Sequence, residues 1–328
     1  MELSFSVPDA YDDIHLAKFI KDPSLYQALP STKALPSVIN PREAGKRRTK
    51  LGPYFSRKAV LDLEFHVQRK VDKLVEALSA FINRSEPVDL LMAYRSVSID
   101  IIMSYLFSQS INALDAPDFH HPLNLVMDTV LSKLWIQRHF LSFLPLDKIP
   151  PRLLRRIAPA MAPYLDVMDL AAKKADEYSL NPPSTEDTGH RLIFDTFLDE
   201  HLTNSTNRWN VPYREMIDEC VQLQFAGSDT VGNTCMVGTY HLLKEPSALT
   251  KLRKELVQAW PDLEIPQSYE TLEKLPYLSA VIKESLRLSL GAVTPLPRVV
   301  ESPGAIIAGY EVPPDVRSVQ CYIPILAF

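Results

Sequence analysis

The sequence predicts a mainly α protein with a small β element near its C-terminal end. Three observations carry that expectation. Apolar residues recur at spacings of three and four through most of the chain. Proline is abundant (27) and glycine scarce (9), which suits helices joined by stiff, proline-marked connections. Only after Gly291 do short apolar runs with turn signals replace the helical period.

In chain order, residues 1–42 are proline-punctuated and weakly periodic, an irregular lead-in with a turn or two of helix at "DDIHLAKFI". A helical body is expected over residues 43–290. It opens with "REAGKRRTKLGPYFS", and Val60, Leu63, Val67, Val71, Leu74 and Leu78 then mark one helix face. "VDLLMAYRSVSIDIIMSYLF" repeats the spacing with fewer charges and reads as more deeply buried. Two more helices are expected over 121–180, broken near "FLPLDKIPPR", then a loop and the helix "RLIFDTFLDEHL". The longest helix is expected from Val211 to Leu243, with Pro212 in its first turn. Two amphipathic helices follow, "PSALTKLRKELVQAW" and "LPYLSAVIKESLRLS". Residues 291–328 begin a β region, with "PRVV" and "AIIAGYEVPP" as strands around the turn "ESPG".

At 328 residues the chain is long enough for a sizeable core, as one large domain or two ordinary ones. A net charge of -5 shows no sign of a nucleic-acid binder. Cys220, Cys235 and Cys321 form no paired framework, so a reducing compartment is expected. No uncharged apolar run reaches the length of a membrane span, and the first residues lack the pattern of a signal peptide. As written, a soluble, cytoplasmic chain is the expectation.

Four places carry candidate chemistry. "FAGSDT", residues 225–230, puts glycine, aspartate and threonine inside an apolar helix. Glycine costs about 1 kcal/mol there relative to alanine, and a buried unpaired carboxylate costs more. A threonine hydroxyl can bond back to the carbonyl four residues earlier, and a glycine lets a flat ligand approach closely. The plain alternative is a glycine packing contact. Glu284 and Arg287, three apart, share a helix face and can pair, as exposed pairs commonly do. "KRRTK", Lys46 to Lys50, is a basic run at a helix start, most simply a solvated face. Arg298 opens a strand and by itself reads as a surface arginine.

Taken in order, "AGSDT", "KESLR" and "PLPR" resemble the cytochrome P450 family of haem-thiolate monooxygenases. Its A/G-G-x-D/E-T pattern is matched by Ala226, Gly227, Ser228, Asp229 and Thr230, and its E-x-x-R by Glu284 and Arg287. "LPYLSAVIKESLRLS" and "GKRRTKLGPYFSRKAVL" are similar to the filamentous-fungal branch that oxidises terpenoids and other secondary metabolites. The likeness runs from about residue 8 to about residue 313.

The resemblance implies a partial cytochrome P450 fold and an enzyme that inserts one atom of O2 into an apolar small molecule. Asp229 and Thr230 are then the proton-relay residues, and Ala226, Gly227 and Thr230 lie over the face of haem. Arg48 and Arg298 become partners of the haem propionates, and Glu284 with Arg287 a buried structural pair beneath the cofactor. The aromatic or histidine expected four residues before Arg48 is Ala44, which removes one contact. Electrons are expected from NADPH through a separate reductase, docking at the basic face near Lys46. The substrate is expected between the long helix and residues 120–160.

The family's cysteine-ligand loop is not found after "GYEVPP", and Cys321 stands too close to Arg287 and lacks the flanking glycines. No axial cysteine is therefore assigned, and Cys220 and Cys235 on the long helix read as ordinary buried residues. The family's N-terminal anchor, which ties its members to the endoplasmic reticulum facing the cytosol, is not found either. The expectation is a chain corresponding to the middle of a monooxygenase, inactive as written. Its alternative is a haem-free helical remnant with a binding or scaffold role.

Overall fold

The structure, a computed structural model, describes residues 1–16, 19–26, 33–128, 149–183, 188–198, 210–263, 265–291 and 295–320. Its centre is a 32-residue helix, Tyr213–Lys244, which we label α9. Before it come α1 (Ala10–His15), α2 (Pro23–Tyr26), α3 (Pro41–Leu51), α4 (Arg57–Asp62) and α5 (Glu64–Arg84). They are followed by α6 (Leu90–Phe107), α7 (Pro151–Ile157) and α8 (Ala162–Leu180). After it come α10 (Pro246–Ala259), the single turn α11 (Tyr269–Leu272) and α12 (Pro276–Ser289).

Local chemistry sets these boundaries. Asn40 caps α3 by accepting the Arg42 amide at 2.9 Å, with Pro41 as the first helical residue. Asp89 caps α6 through the Met92 amide at 3.1 Å, and Ser85 ends α5 in the left-handed conformation. The helix expected from residue 57 onward is two helices, because the chain breaks at Leu63 and restarts. "RLIFDTFLDEHL" differs more: Ile193–Phe197 is a 3₁₀ turn capped by the Asp195 carboxylate, which accepts the Leu192 amide. Residues 199–209 lie outside the described residues.

Helix α6 is apolar and long enough to cross a membrane by length and composition, yet 67% of that stretch is buried inside the protein. It packs along α9, and its two charged residues find partners within the fold, although Arg95 Nε has none among the described residues. Asp100 accepts the amides of Ala113 and Leu114 at 2.9 and 3.3 Å, and Arg95 pairs with carboxylates on both sides. This is a core helix. Met103, Leu106 and Phe107 of α6, Val167 and Ala171 of α8, and Met216, Cys220 and Val221 of α9 form the main core.

The β region joins the two ends of the described chain. Strands β1 (Glu2–Phe5), β2 (Ile20–Lys21), β3 (Arg298–Val299) and β6 (Arg317–Gln320) form a sheet in the order β1-β6-β3-β2. Strands β4 (Ala305–Ile307) and β5 (Tyr310–Val312) form a hairpin. Its turn residues Ala308 and Gly309 both have positive φ, the geometry that suits a twisted two-residue hairpin. Residues 1–42 are thus less irregular than expected. Two of their short stretches become strands because partners nearly 300 positions away supply the pairing.

Candidate functional site

The site is built on the middle of α9. Helix continues through Phe225–Thr230, and what the structure shows of the anticipated opening is one bond: Thr230 Oγ1 donates to the Ala226 carbonyl at 2.7 Å. Ala226 and Thr230, one turn apart, both lie on an exposed stripe of the helix. A back-bonded hydroxyl of this kind loosens the ladder locally and leaves its oxygen able to accept a further hydrogen bond.

Gly227 and Asp229 do not share that stripe. A Cβ on Gly227 would stand 3.0 Å from Ile102 Cγ1, so the missing side chain makes room for α6 rather than for a flat ligand. What the structure shows at Gly227 is a packing contact with α6. One turn on, Gly232 approaches closer still: its added Cβ would meet Arg95 Cγ at 2.8 Å and the Arg95 backbone N at 3.1 Å. These two glycines let α9 and α6 cross tightly and bring Arg95 beside Asp229.

Arg95 is the residue that sequence reasoning missed here. It is 5% exposed, with Nη1 donating to Asp128 at 2.9 Å and Nη2 in ionic contact with Asp229 at 2.5 Å. A buried guanidinium needs such partners, because an uncompensated charge in the interior is costly. The signal was an arginine in an otherwise apolar helix, but only the helix crossing reveals its partner.

A second group lies on the sheet. Strand β2 pairs with β3 so that Lys21 stands opposite Arg298. Like charges opposed across strands repel. Arg298 is held by Tyr26, donating to its hydroxyl at 2.5 Å with the guanidinium over the ring, and by the carbonyls of Leu296 and Pro297 at 3.3 and 3.2 Å. Lys21 donates to the carbonyls of Leu35 and Pro36 at 3.1 and 2.8 Å. Its ammonium is pushed down to about 8, first by burial and then by the positive fields of Arg298 and Arg48. Arg48 itself is exposed on α3. Arg48 and Arg298, 250 residues apart, are therefore brought to one place, and Lys21, which sequence reasoning missed, joins them. Glu219 offsets Lys21 in part, and the three cations together suit an anionic group such as a carboxylate.

Glu284 and Arg287 pair as expected, with Arg287 Nε and Nη2 donating to the two carboxylate oxygens at 2.7 and 2.6 Å. The expected burial is not there. Their side chains are 54% and 39% exposed, because this face of α12 is uncovered by any described segment. Cys220 is fully buried as expected and its thiol is pushed far above its ordinary value, whereas Cys235 is exposed, not buried, although partial desolvation still raises its thiol. Neither is poised as a thiolate. Cys321 lies outside the described residues, as do residues 129–148 of the proposed substrate region.

Comparison with known proteins agrees with this geometry. The family model described as cytochrome P450 matches residues 11–324. Cytochrome P450 monooxygenase flvC of Aspergillus flavus is 29% identical over 317 residues, covering 95% of this chain and 58% of that protein. Cytochrome P450 monooxygenase TRI4 of Fusarium sporotrichioides is 28% identical over 307 residues, covering 91% and 57%. The chain thus spans a little over half the length of these relatives. Among solved structures, the crystal structure of a cytochrome P450, CYP102L1, superposes with a TM-score of 0.74 at 20% identity, covering 99% of this chain and 72% of that one. With a shared fold and a family match over nearly the whole chain, the protein belongs to the cytochrome P450 family.

Proposed function

We propose that this chain forms the helical body of a fungal-type P450 monooxygenase that inserts one atom of O2 into an apolar small molecule, a terpenoid or another secondary metabolite. The observation that carries this reading is the Thr230 hydroxyl on the Ala226 carbonyl, on the exposed stripe of α9. The cation cluster supports it as well. Arg298, Arg48 and Lys21 would hold the carboxylates of haem, and Ala226 and Thr230 would border its face. When bound, haem supplies the redox-active iron at which dioxygen is reduced.

The chain's own residues then handle protons and position. Thr230 keeps its hydroxyl oriented by donating to Ala226, which would leave its lone pairs to accept a hydrogen bond and hold a protonated group or water at the site. Arg95 anchors Asp229 at the end of its reach, beside Thr230, as the next group in that relay. The two described cysteines offer no thiolate ligand, so the 328-residue protein is proposed to take up porphyrin without a thiolate-ligated iron. NADPH-derived electrons delivered through a separate reductase, meeting the basic residues of α3, complete the reading.

The test is titration of the protein with haemin and with the dimethyl ester of the same porphyrin, followed by absorbance. Binding of the free acid over the ester, weakened in Arg298→Ala, is expected, with no thiolate-type Soret band under carbon monoxide. In a form carrying a cysteine-ligand loop, Thr230→Ala should consume electrons without forming product. No porphyrin binding would remove the basis for the reading. A thiolate-type spectrum from the 328 residues would point to Cys321 as ligand.

A further inference from the structure

Away from the cation cluster, two adjacent acids near the start of α9 reach across to a segment about 185 positions earlier. Asp218 is fully buried and Glu219 is 3% exposed. Asp218 Oδ2 accepts the Lys33 amide at 2.9 Å, and Glu219 Oε2 accepts the Leu35 amide at 2.8 Å. From the other side, Arg47 donates to the Lys33 carbonyl and Lys21 to the carbonyls of Leu35 and Pro36. Residues 33–36 are therefore fastened by side chains through both their donors and their acceptors, at the entry of the short 3₁₀ turn Leu35–Ser37. The segment leads through the Asn40 cap into α3, so its seat also sets where Arg48 stands.

We propose that Glu219 is a proton-responsive fastener for residues 33–37, which seats the segment more firmly when it takes up a proton and loosens it when it is ionised. The inference does not depend on haem. Every charged group around Glu219 enters its balance. On α9 these are Asp218 and Glu215, and Arg214 donates from Nε to Asp218 at 2.8 Å. From α3, Arg47 stands 3.9 Å from the Glu219 carboxylate and also pairs with Glu215, and Glu43, Lys46 and Lys50 line the adjoining cavity of about 400 Å³. From β2 comes Lys21, and from the segment itself Lys33.

Burial outweighs these cations. It raises the Glu219 carboxyl from 4.5 to about 6, against the opposing pull of the Leu35 amide and Arg47. Asp218 is raised too, again by burial first. Opening the segment returns Glu219 to water and to an ordinary carboxyl value. The seated state thus binds the proton more tightly than the open state, and by linkage protonation favours the seated state. A neutral carboxyl still accepts the Leu35 amide through its C=O. The difference of 1.5 pH units corresponds to about thirty-fold in the opening equilibrium, gained as pH falls through 6 toward 4.5. Lys21 stays protonated throughout that range, since it titrates at about 8.

The measurement is amide hydrogen exchange of Lys33 and Leu35 in the whole chain, corrected for intrinsic rates, at several pH values between about 5 and 7.5. Protection of both amides should rise about eight-fold from pH 7.5 to pH 5, while α6 amides do not follow. Glu219→Gln, which mimics the protonated acid, should show high protection at neutral pH and lose most of the dependence on pH, leaving only what Asp218 contributes. Asp218→Asn should keep the dependence. Flat or inverted protection in the parent protein overturns the proposal, as does a Glu219→Gln variant that retains the rise. Loss of the dependence in Asp218→Asn alone would transfer the role to Asp218. Should Glu219→Gln fail to fold, direct observation of the carboxyl carbon of Glu219 decides: a midpoint above about 5 supports the fastener and one below it sinks the idea.

Discussion

Thr230 and Gly227 lie three positions apart on one helix and meet opposite surroundings. The hydroxyl stays on the open stripe, whereas the glycine turns to Ile102 and serves only to let two helices meet. A motif in a sequence records residue types, and a helix distributes them around its circumference. Asp229 shows the same point, since its partner Arg95 comes from a helix more than a hundred residues earlier. Glu284 and Arg287 were legible as a pair from their spacing, but their exposure was not. An exposed pair is screened by water and must hold two long side chains in one geometry. Glu284→Ala should therefore melt within error of the parent protein in a calorimetric scan. A large fall in the melting temperature would mean that this face is covered after all.

At the level of elements, α9 is the pivot, and glycines control what it can touch. Gly232 sits against the backbone of Arg95, which cannot rotate away. Gly232→Ala should gain about 1 kcal/mol in helix propensity. Overpacking of a tight contact costs more, about 1–3 kcal/mol, so the net change should be destabilising by about 1 kcal/mol. Gly45 is the internal control: it lies in α3 with nothing within 4 Å of an added Cβ. Gly45→Ala should stabilise by about 1 kcal/mol. Denaturant titration of the two variants checks both signs, and equal shifts would show that the α9–α6 crossing is looser than it looks. Most helices here were visible from their apolar period, and their ends from prolines and caps. The 3₁₀ turn at Ile193–Phe197 was not, because an apolar run that short has no period of its own to read.

For the whole molecule, the β sheet is the device that closes the described chain on itself, and it places charges as well as backbone. His15, beside this sheet, is held down to about 4 by burial first and then by Arg298. Its folded value lies below the unfolded 6.5, so the unfolded chain binds the extra proton. The stability it contributes is complete above 6.5 and is lost as pH falls from there toward 4. Because His15 is only about half buried, screening reduces the loss to about 2 kcal/mol. Glu219 acts in the opposite direction between about 6 and 4.5. His15→Phe should therefore become more stable, relative to the parent, at acid pH than at neutral pH. Denaturant unfolding at pH 7 and 4.5 measures this, and an unchanged difference between the two would rule out His15 as the source.

The sequence by itself determined the helical class, the long central helix and the family. Each of these is written in residues close together along the chain, where period, capping and motif spacing act. The tertiary structure alone decided that Gly227 packs, that Arg95 anchors Asp229, that Lys21 joins Arg48 and Arg298, and that two buried acids fasten residues 33–36. Those depend on helix crossings and strand register between positions up to about 300 residues apart, and burial and charge exist only once such distant surfaces have met.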